Sequence, residues 1–162
     1  MIHATDVAII LKDKYSDSLI SVNVQRERRI WIELVAGDFR KCFEKIIKED
    51  GFSILCTITG LDTKEKYEVI YHMSDKDGKV LNIKISIDRN NPVVATITDL
   101  FPAAELSERE LADLLGIKID GLVAGRRYPL PDDWPQGQYP LRKDWDPGVL
   151  DKKIEKSGDK ND

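Results

Sequence analysis

Two cysteines and two histidines are all that the 162 residues hold, and neither cysteine belongs to a CxxC pair. That scarcity leaves too few ligands for a cysteine-rich zinc or iron–sulfur site within this chain. Cys42 and Cys56 sit alone in apolar patterns, so both are expected to be buried free thiols. An excess of one charge is also missing: 25 Lys and Arg face 29 Asp and Glu, for a formal net charge of -4. A balanced surface of this kind lacks the basic face of a nucleic-acid or anionic-membrane binder. No apolar run approaches the ~18 residues that cross a bilayer. The aliphatic stretch Val7 to Leu11 is too short for a secretory core. The chain therefore reads as cytoplasmic, beside a membrane only if membrane subunits hold it there. Glycine-rich phosphate loops, GxGxxG, HExxH and a nucleophile elbow are all absent.

What is present is an apolar share of 41%, enough for the single core of one ordinary domain. Residues 1–100 read as an α/β body. Thr5 or Asp6 is expected to cap a first helix whose stripe is Val7, Ile10, Leu11 and Tyr15. Ile20, Val22 and Val24, then Ile30, Ile32 and Leu34, alternate as two strands joined through Gln25-Arg26-Glu27-Arg28. Asp38 opens a second helix with Phe39, Cys42, Phe43, Ile46 and Ile47 on one side, and Gly51 stops it. Three strands follow: Phe52, Ile54, Cys56 and Ile58 alternate on the first, Tyr67, Val69, Tyr71 and Met73 on the second. After the turn Asp75-Lys76-Asp77-Gly78, Leu81, Ile83, Ile85 and Ile87 alternate on the third. Period-two alternation means one buried face, so an antiparallel meander covered on one side by helices is expected. His72, alone on its strand, reads as structural.

From residue 101 the texture changes. Residues 101–125 hold a short helix and its connection, and residues 126–162 form an arm and tail. Five of the seven prolines and two of the three tryptophans fall between Pro129 and Pro147. Long helices and central strands are ruled out there, yet the segment is too aromatic for a disordered linker. Its rings need a surface: either a partner, since Trp, Tyr and Arg anchor interfaces, or the chain's own body. Composition leaves both open. The last stretch, residues 151–162, is highly charged and is expected to fray in isolation.

Glu108, Glu110 and Asp113 stand close together, and clustered carboxylates can do acid–base work or hold a cation. A simpler account is a capping box, in which Ser107 caps the helix and Glu110 reaches back to it. Acidic charge in that first turn also suits the helix dipole. Leu111, Leu114 and Leu115 would be the buried stripe and Gly116 the stop. Arg126-Arg127 and Arg142-Lys143 are basic pairs able to grip a carboxylate on a partner. The commoner fate of such a pair is a solvated loop.

Asp99-Leu100-Phe101-Pro102-Ala103-Ala104, followed by Glu108-Arg109-Glu110-Leu111-Ala112-Asp113-Leu114-Leu115-Gly116-Ile117, resembles the signature of the NADH dehydrogenase C-subunit (30 kDa) family. Leu130-Pro131-Asp132-Asp133-Trp134 and Tyr139-Pro140-Leu141-Arg142-Lys143-Asp144-Trp145 resemble that family's closing segment. The likeness covers roughly residues 50 to 146. Complex I members commonly carry an aromatic before the signature glycine, where this chain has Leu115, and a Gly-His-Pro-Asp-Leu-like stretch where it has Gly121-Leu122-Val123-Ala124-Gly125-Arg126-Arg127. The aliphatic Asp113-Leu114-Leu115-Gly116 and the pair Trp134-Pro135 look more like the energy-converting nickel–iron hydrogenase or formate-hydrogenlyase relatives.

The resemblance implies an α+β domain with an antiparallel or mixed sheet, helices on one face and an extended C-terminal arm. It implies a non-catalytic peripheral-arm subunit without a cofactor, on the cytoplasmic side of the membrane. Its partners would be a large catalytic-type subunit and an iron–sulfur small subunit, which would carry the iron–sulfur clusters and any nickel–iron centre. Neither nucleic acid nor the membrane itself would be a direct partner. Ser107, Glu108, Arg109, Glu110, Asp113, Gly116 and Ile117 would set the signature helix. Arg126, Arg127, Trp134, Tyr139, Leu141, Arg142, Lys143 and Trp145 would dock the arm on the large subunit. Within the family the alternative is the C-type subunit of complex I. From another class it is a stand-alone small enzyme using the three clustered carboxylates.

Overall fold

Helical and strand periodicities alternate along the chain, and the computed structural model, which describes residues 3–150, orders the resulting elements as follows. They are α1 (Ala4–Lys14), β1 (Leu19–Arg26), β2 (Arg29–Leu34), α2 (Phe39–Glu49), β3 (Ile54–Asp62) and β4 (Lys66–Ser74). After these come β5 (Val80–Asp88), β6 (Val93–Ala95), α3 (Ala104–Leu115) and β7 (Lys118–Asp120). Residues 151–162, expected to fray, lie outside the described residues.

Five strands form one sheet in the order β1-β2-β5-β4-β3. The meander β3–β4–β5 is antiparallel, as is the hairpin β1–β2, but the two blocks join through a parallel β2–β5 pairing that sets Ile32 beside Ile83. The fold is thus α+β with a mixed sheet. Tyr67, Val69, Tyr71 and Met73 of β4 and Leu81, Ile83 and Ile85 of β5 are all 0% exposed. This is the single buried face that period two demands. Phe39 of α2 stacks on Tyr71 with ring centroids 4.5 Å apart, and Tyr15 donates to Asp50 at 2.5 Å, so α1 and α2 cover the same side. The opposite face is polar: Lys84 bridges Glu33 (3.0 Å) and Glu68 (3.3 Å). There the Asn82 side-chain amide donates to Ile30 O, leaving its oxygen to accept a hydrogen bond from His72 Nδ1–H at 2.7 Å. His72 therefore sits in a side-chain network.

Five local expectations change. The buried stripe of α1 is Ala4, Ala8, Leu11 and Tyr15, while Ile9 and Ile10 are exposed. The helix starts earlier than Thr5, with Asp6 accepting from the His3 N–H. A bulge between Leu19 and Ser21 leaves Ile20 exposed on the free edge of β1. A second bulge, between Leu55 and Thr57, skips Cys56 in the pairing with β4. The extra residue flips the alternation, so Cys56 and Ile54 face solvent and only Cys42 is buried. Asp38 does precede α2, but a 3₁₀ turn at Ala36–Asp38 leads in and its side chain makes no cap bond.

The parallel pair β6–β7 is new relative to the sequence reading. Ile97, Ala104, Leu111, Leu115, Ile117 and Ile119 join the same hydrophobic cluster as the sheet. Residues 101–125 are therefore packed into the body rather than set apart from it.

Candidate functional site

Ala104, Glu108, Leu111 and Leu115 are the buried residues of α3, spaced four, three and four apart along one helical face. The helix begins at Ala104, one turn before Ser107, so the expected capping box does not form: Ser107 and Glu108 lie inside the helix. Ala103 precedes it without a side-chain cap, and Glu105 supplies the acidic charge of the first turn. The far end follows expectation. Gly116 takes φ 72°, its N–H bonds Ala112 O at 3.0 Å, and Ile117 N–H reaches Leu111 O at 3.4 Å. This is a Schellman end with the hydrophobic Ile117 tucked under it. On the sheet side α3 lies directly over Gly60 of β3, where a Cβ would run into the side chains of Leu111 and Leu115. A glycine inside a strand signals such close approach, and Gly60 carries that signal in the sequence.

Glu108 is 1% exposed. Its carboxylate accepts from the Ile97 N–H at 2.7 Å and the Thr96 hydroxyl at 2.6 Å. Arg40 of α2 binds the Thr96 carbonyl at 2.7 Å and pairs with Asp99. Burial raises the Glu108 pKa above the usual carboxylate range, although these donors pull the other way. Glu108 therefore acts as a clamp between α3 and the 96–99 loop. Glu110 points to solvent, and Asp113 pairs with Arg127 at 3.2 Å. The three carboxylates do not converge, and among the described residues no three His, Cys, Asp or Glu side chains could hold a metal ion.

The outer side of α3 organises the chain beyond β7. Arg109 binds Glu105 at 2.8 Å and donates to Val123 O at 2.9 Å and Arg126 O at 3.4 Å. Gly125 lies flat against that guanidinium, where a Cβ would collide with it. Arg127, besides Asp113, donates to Trp134 O at 2.9 Å. Arg126 differs: its side chain is 91% exposed and approaches only as near as 3.6 Å to Asp132, itself exposed.

The arm folds back over the α3–β3 end of the body. Trp134 and Trp145 pack together with centroids 6.1 Å apart, and their indole N–H groups go to Gln138 O (2.9 Å) and Gln138 Oε1 (3.0 Å). Leu141 N–H bonds Leu114 O at 3.0 Å, although the Leu141 side chain stays exposed. Arg142 Nε donates to Leu115 O at 2.7 Å, one of the carbonyls left open at the helix end. Its guanidinium lies 4.2 Å from the Tyr139 ring centroid and 5.5 Å from that of Tyr67. Lys143 contributes its backbone N–H, which bonds Asp62 at 2.8 Å, while its side chain is exposed.

Asp62, which sequence reasoning missed, is the anchor of this contact. It also accepts from Lys64 N–H at 2.7 Å and Arg89 at 2.5 Å, and Arg89 in turn reaches Asp144 at 2.7 Å. Burial alone would raise its pKa. The Lys143 and Lys64 N–H groups and Arg89 outweigh that and hold the carboxyl below the usual range. Of the residues expected to dock a partner, Arg127, Trp134, Tyr139, Arg142 and Trp145 thus contact the chain's own body or arm. Arg126, Leu141 and Lys143 keep exposed side chains.

The model of the respiratory-chain NADH dehydrogenase 30 kDa subunit family matches residues 32–148. The C-type subunit of a NADH-quinone oxidoreductase from Moorella thermoacetica is 38% identical over 98 residues, which are 59% of this chain and 65% of that protein. The membrane-bound hydrogenase subunit beta of Pyrococcus furiosus is 26% identical over 164 aligned positions, covering 98% of this chain and 94% of its own length. Among solved structures, a chain of the membrane-bound sulfane sulfur reductase, an archaeal respiratory membrane complex, superposes with a TM-score of 0.75. It shares 31% identity, over 95% of this chain and 94% of that one. The chain belongs to the respiratory-chain NADH dehydrogenase 30 kDa subunit family.

Proposed function

We propose that this chain is a non-catalytic, cofactor-free subunit in the peripheral arm of a membrane-associated, ion-translocating redox complex of the energy-converting hydrogenase type. Its role is to stabilise and dock a large catalytic-type subunit, next to an iron–sulfur small subunit, on the cytoplasmic side of the membrane. Redox centres then belong to the partners. The observation that carries the reading is the end-to-end match with subunits of membrane-bound complexes, 94% of the Pyrococcus protein and 94% of the sulfane sulfur reductase chain. Against the Moorella protein the match stops at 65% of that protein's length. The higher identity to the Moorella protein, 38%, favours a second reading, the C-type subunit of a quinone-reducing complex I.

Native mass spectrometry of the complex recovered through a tagged copy of this chain separates these readings. A large subunit with four metal-binding cysteines supports the hydrogenase type, and one without them supports the quinone type. A chain that purifies alone and turns over a substrate overturns both in favour of a stand-alone enzyme.

A further inference from the structure

Leu106, Val123 and Tyr128 are among the exposed large apolar side chains, at 55%, 76% and 44% exposure, and all three line one groove with Arg126. The groove encloses about 710 Å³ between the outer side of α3 and the 123–128 segment. Its walls are fixed by the chain itself, because Arg109 ties the carbonyls of Val123 and Arg126 to the helix and Gly125 lies against the same guanidinium. Little ordering is left to be done on binding, which favours affinity. The charges resolve in one direction. Arg109 is balanced by Glu105, and Arg127 by Asp113, while Arg126 meets only Asp132, at 3.6 Å in a pair so exposed that solvent screens it. An apolar trough beside one guanidinium held only by a weak, exposed ion pair matches an apolar residue and a neighbouring carboxylate, which an arginine fork can hold through two bonds.

We infer that this groove, rather than the Trp134–Trp145 arm, is the principal docking surface, and that it receives a carboxylate-bearing apolar segment of the large subunit. The inference rests on the reading of the chain as a subunit of a redox complex. The arm's arginine and aromatic rings are already engaged with Leu115 O, Gln138 and one another. In the groove, Arg126 and the three apolar side chains remain open to a partner.

The test uses the full chain, tagged, in its native complex, with a photo-crosslinking residue at Val123 and a control at Ile20 on the distant β1 edge. The expected crosslink from Val123 falls on one segment of the large subunit that contains Asp or Glu. Arg126→Glu, at a site too exposed to unfold the chain, weakens large-subunit retention about tenfold or more. Reversing the charge of the crosslinked carboxylate to Lys restores it. Crosslinks from Val123 to a second copy of this chain, or to no subunit, overturn the groove assignment, as does undiminished retention of the Arg126→Glu variant. A complex that forms while Val123 stays silent defeats the groove alone. A chain that recovers no redox subunit at all defeats the underlying reading.

Discussion

Replacing Arg142 with alanine separates a structural arginine from a docking one. The guanidinium donates at 2.7 Å to Leu115 O at the end of α3 and lies over the rings of Tyr139 and Tyr67. A hydrogen bond from a charged donor contributes roughly 1.5–3 kcal/mol. Each partly exposed cation–π contact adds roughly 0.5–1 kcal/mol. Because the three contacts share one side chain their values do not simply add, and a loss of about 3 kcal/mol is expected. For a domain of this size that lowers Tm by roughly 6–12 °C. Arg142→Lys keeps the charge but not the planar fork, so it should recover only part of the difference. Urea titrations of the isolated chain measure both variants. Below the lower melting temperature, retention of the Arg142→Ala variant by its complex should match wild type. A variant within about 0.5 kcal/mol of wild type that nonetheless loses its partner would refute this account and return Arg142 to the interface.

Two further outcomes follow from the same region. Gly60→Ala drives a methyl group into Leu111 and Leu115, so it should cost about 1–3 kcal/mol by overpacking; unchanged stability in a denaturant titration would mean that α3 can slide off β3. The depressed pKa of Asp62 contributes stability that is present above its unfolded value, about 3.9, and is lost as pH falls through the lower folded value. Asp62→Asn should therefore be less stable than wild type at pH 7, by roughly 1–3 kcal/mol, and the two should converge near pH 2. Melting curves across that range check it, and parallel profiles would contradict it.

The elements that could be read from the chain are those with one-sided burial. β2, β4, β5 and α2 bury one apolar face and keep a mostly polar, less buried one opposite, so their periods survive in the sequence, and Gly116 announces the end of α3 through its backbone alone. Reading failed where an apolar residue is not buried or a polar one is. Ile9 and Ile10 outweigh Ala4 and Ala8 on any hydropathy scale, yet it is the small alanines that α1 buries and the isoleucines that it exposes. Glu108 looks like a surface acid and is the most buried charged residue described, because Thr96 and Ile97 supply donors that lie twelve and eleven residues away. The bulge at Cys56 shifts a register that no composition encodes. The tryptophans and prolines of the arm did mark a surface to be covered, but rings satisfy one another as readily as a partner, and composition does not distinguish the two.

The parallel seam between β2 and β5 also governs how the chain is made. The strand that completes β2 lies about fifty residues further on. A ribosome adding roughly 5–20 residues per second leaves the first hairpin with an unpaired inner edge for several seconds. During that interval the half-built sheet is an adhesive template for other nascent chains. Synthesis beside its future partners, or under the cover of a chaperone, is the natural remedy for that exposure.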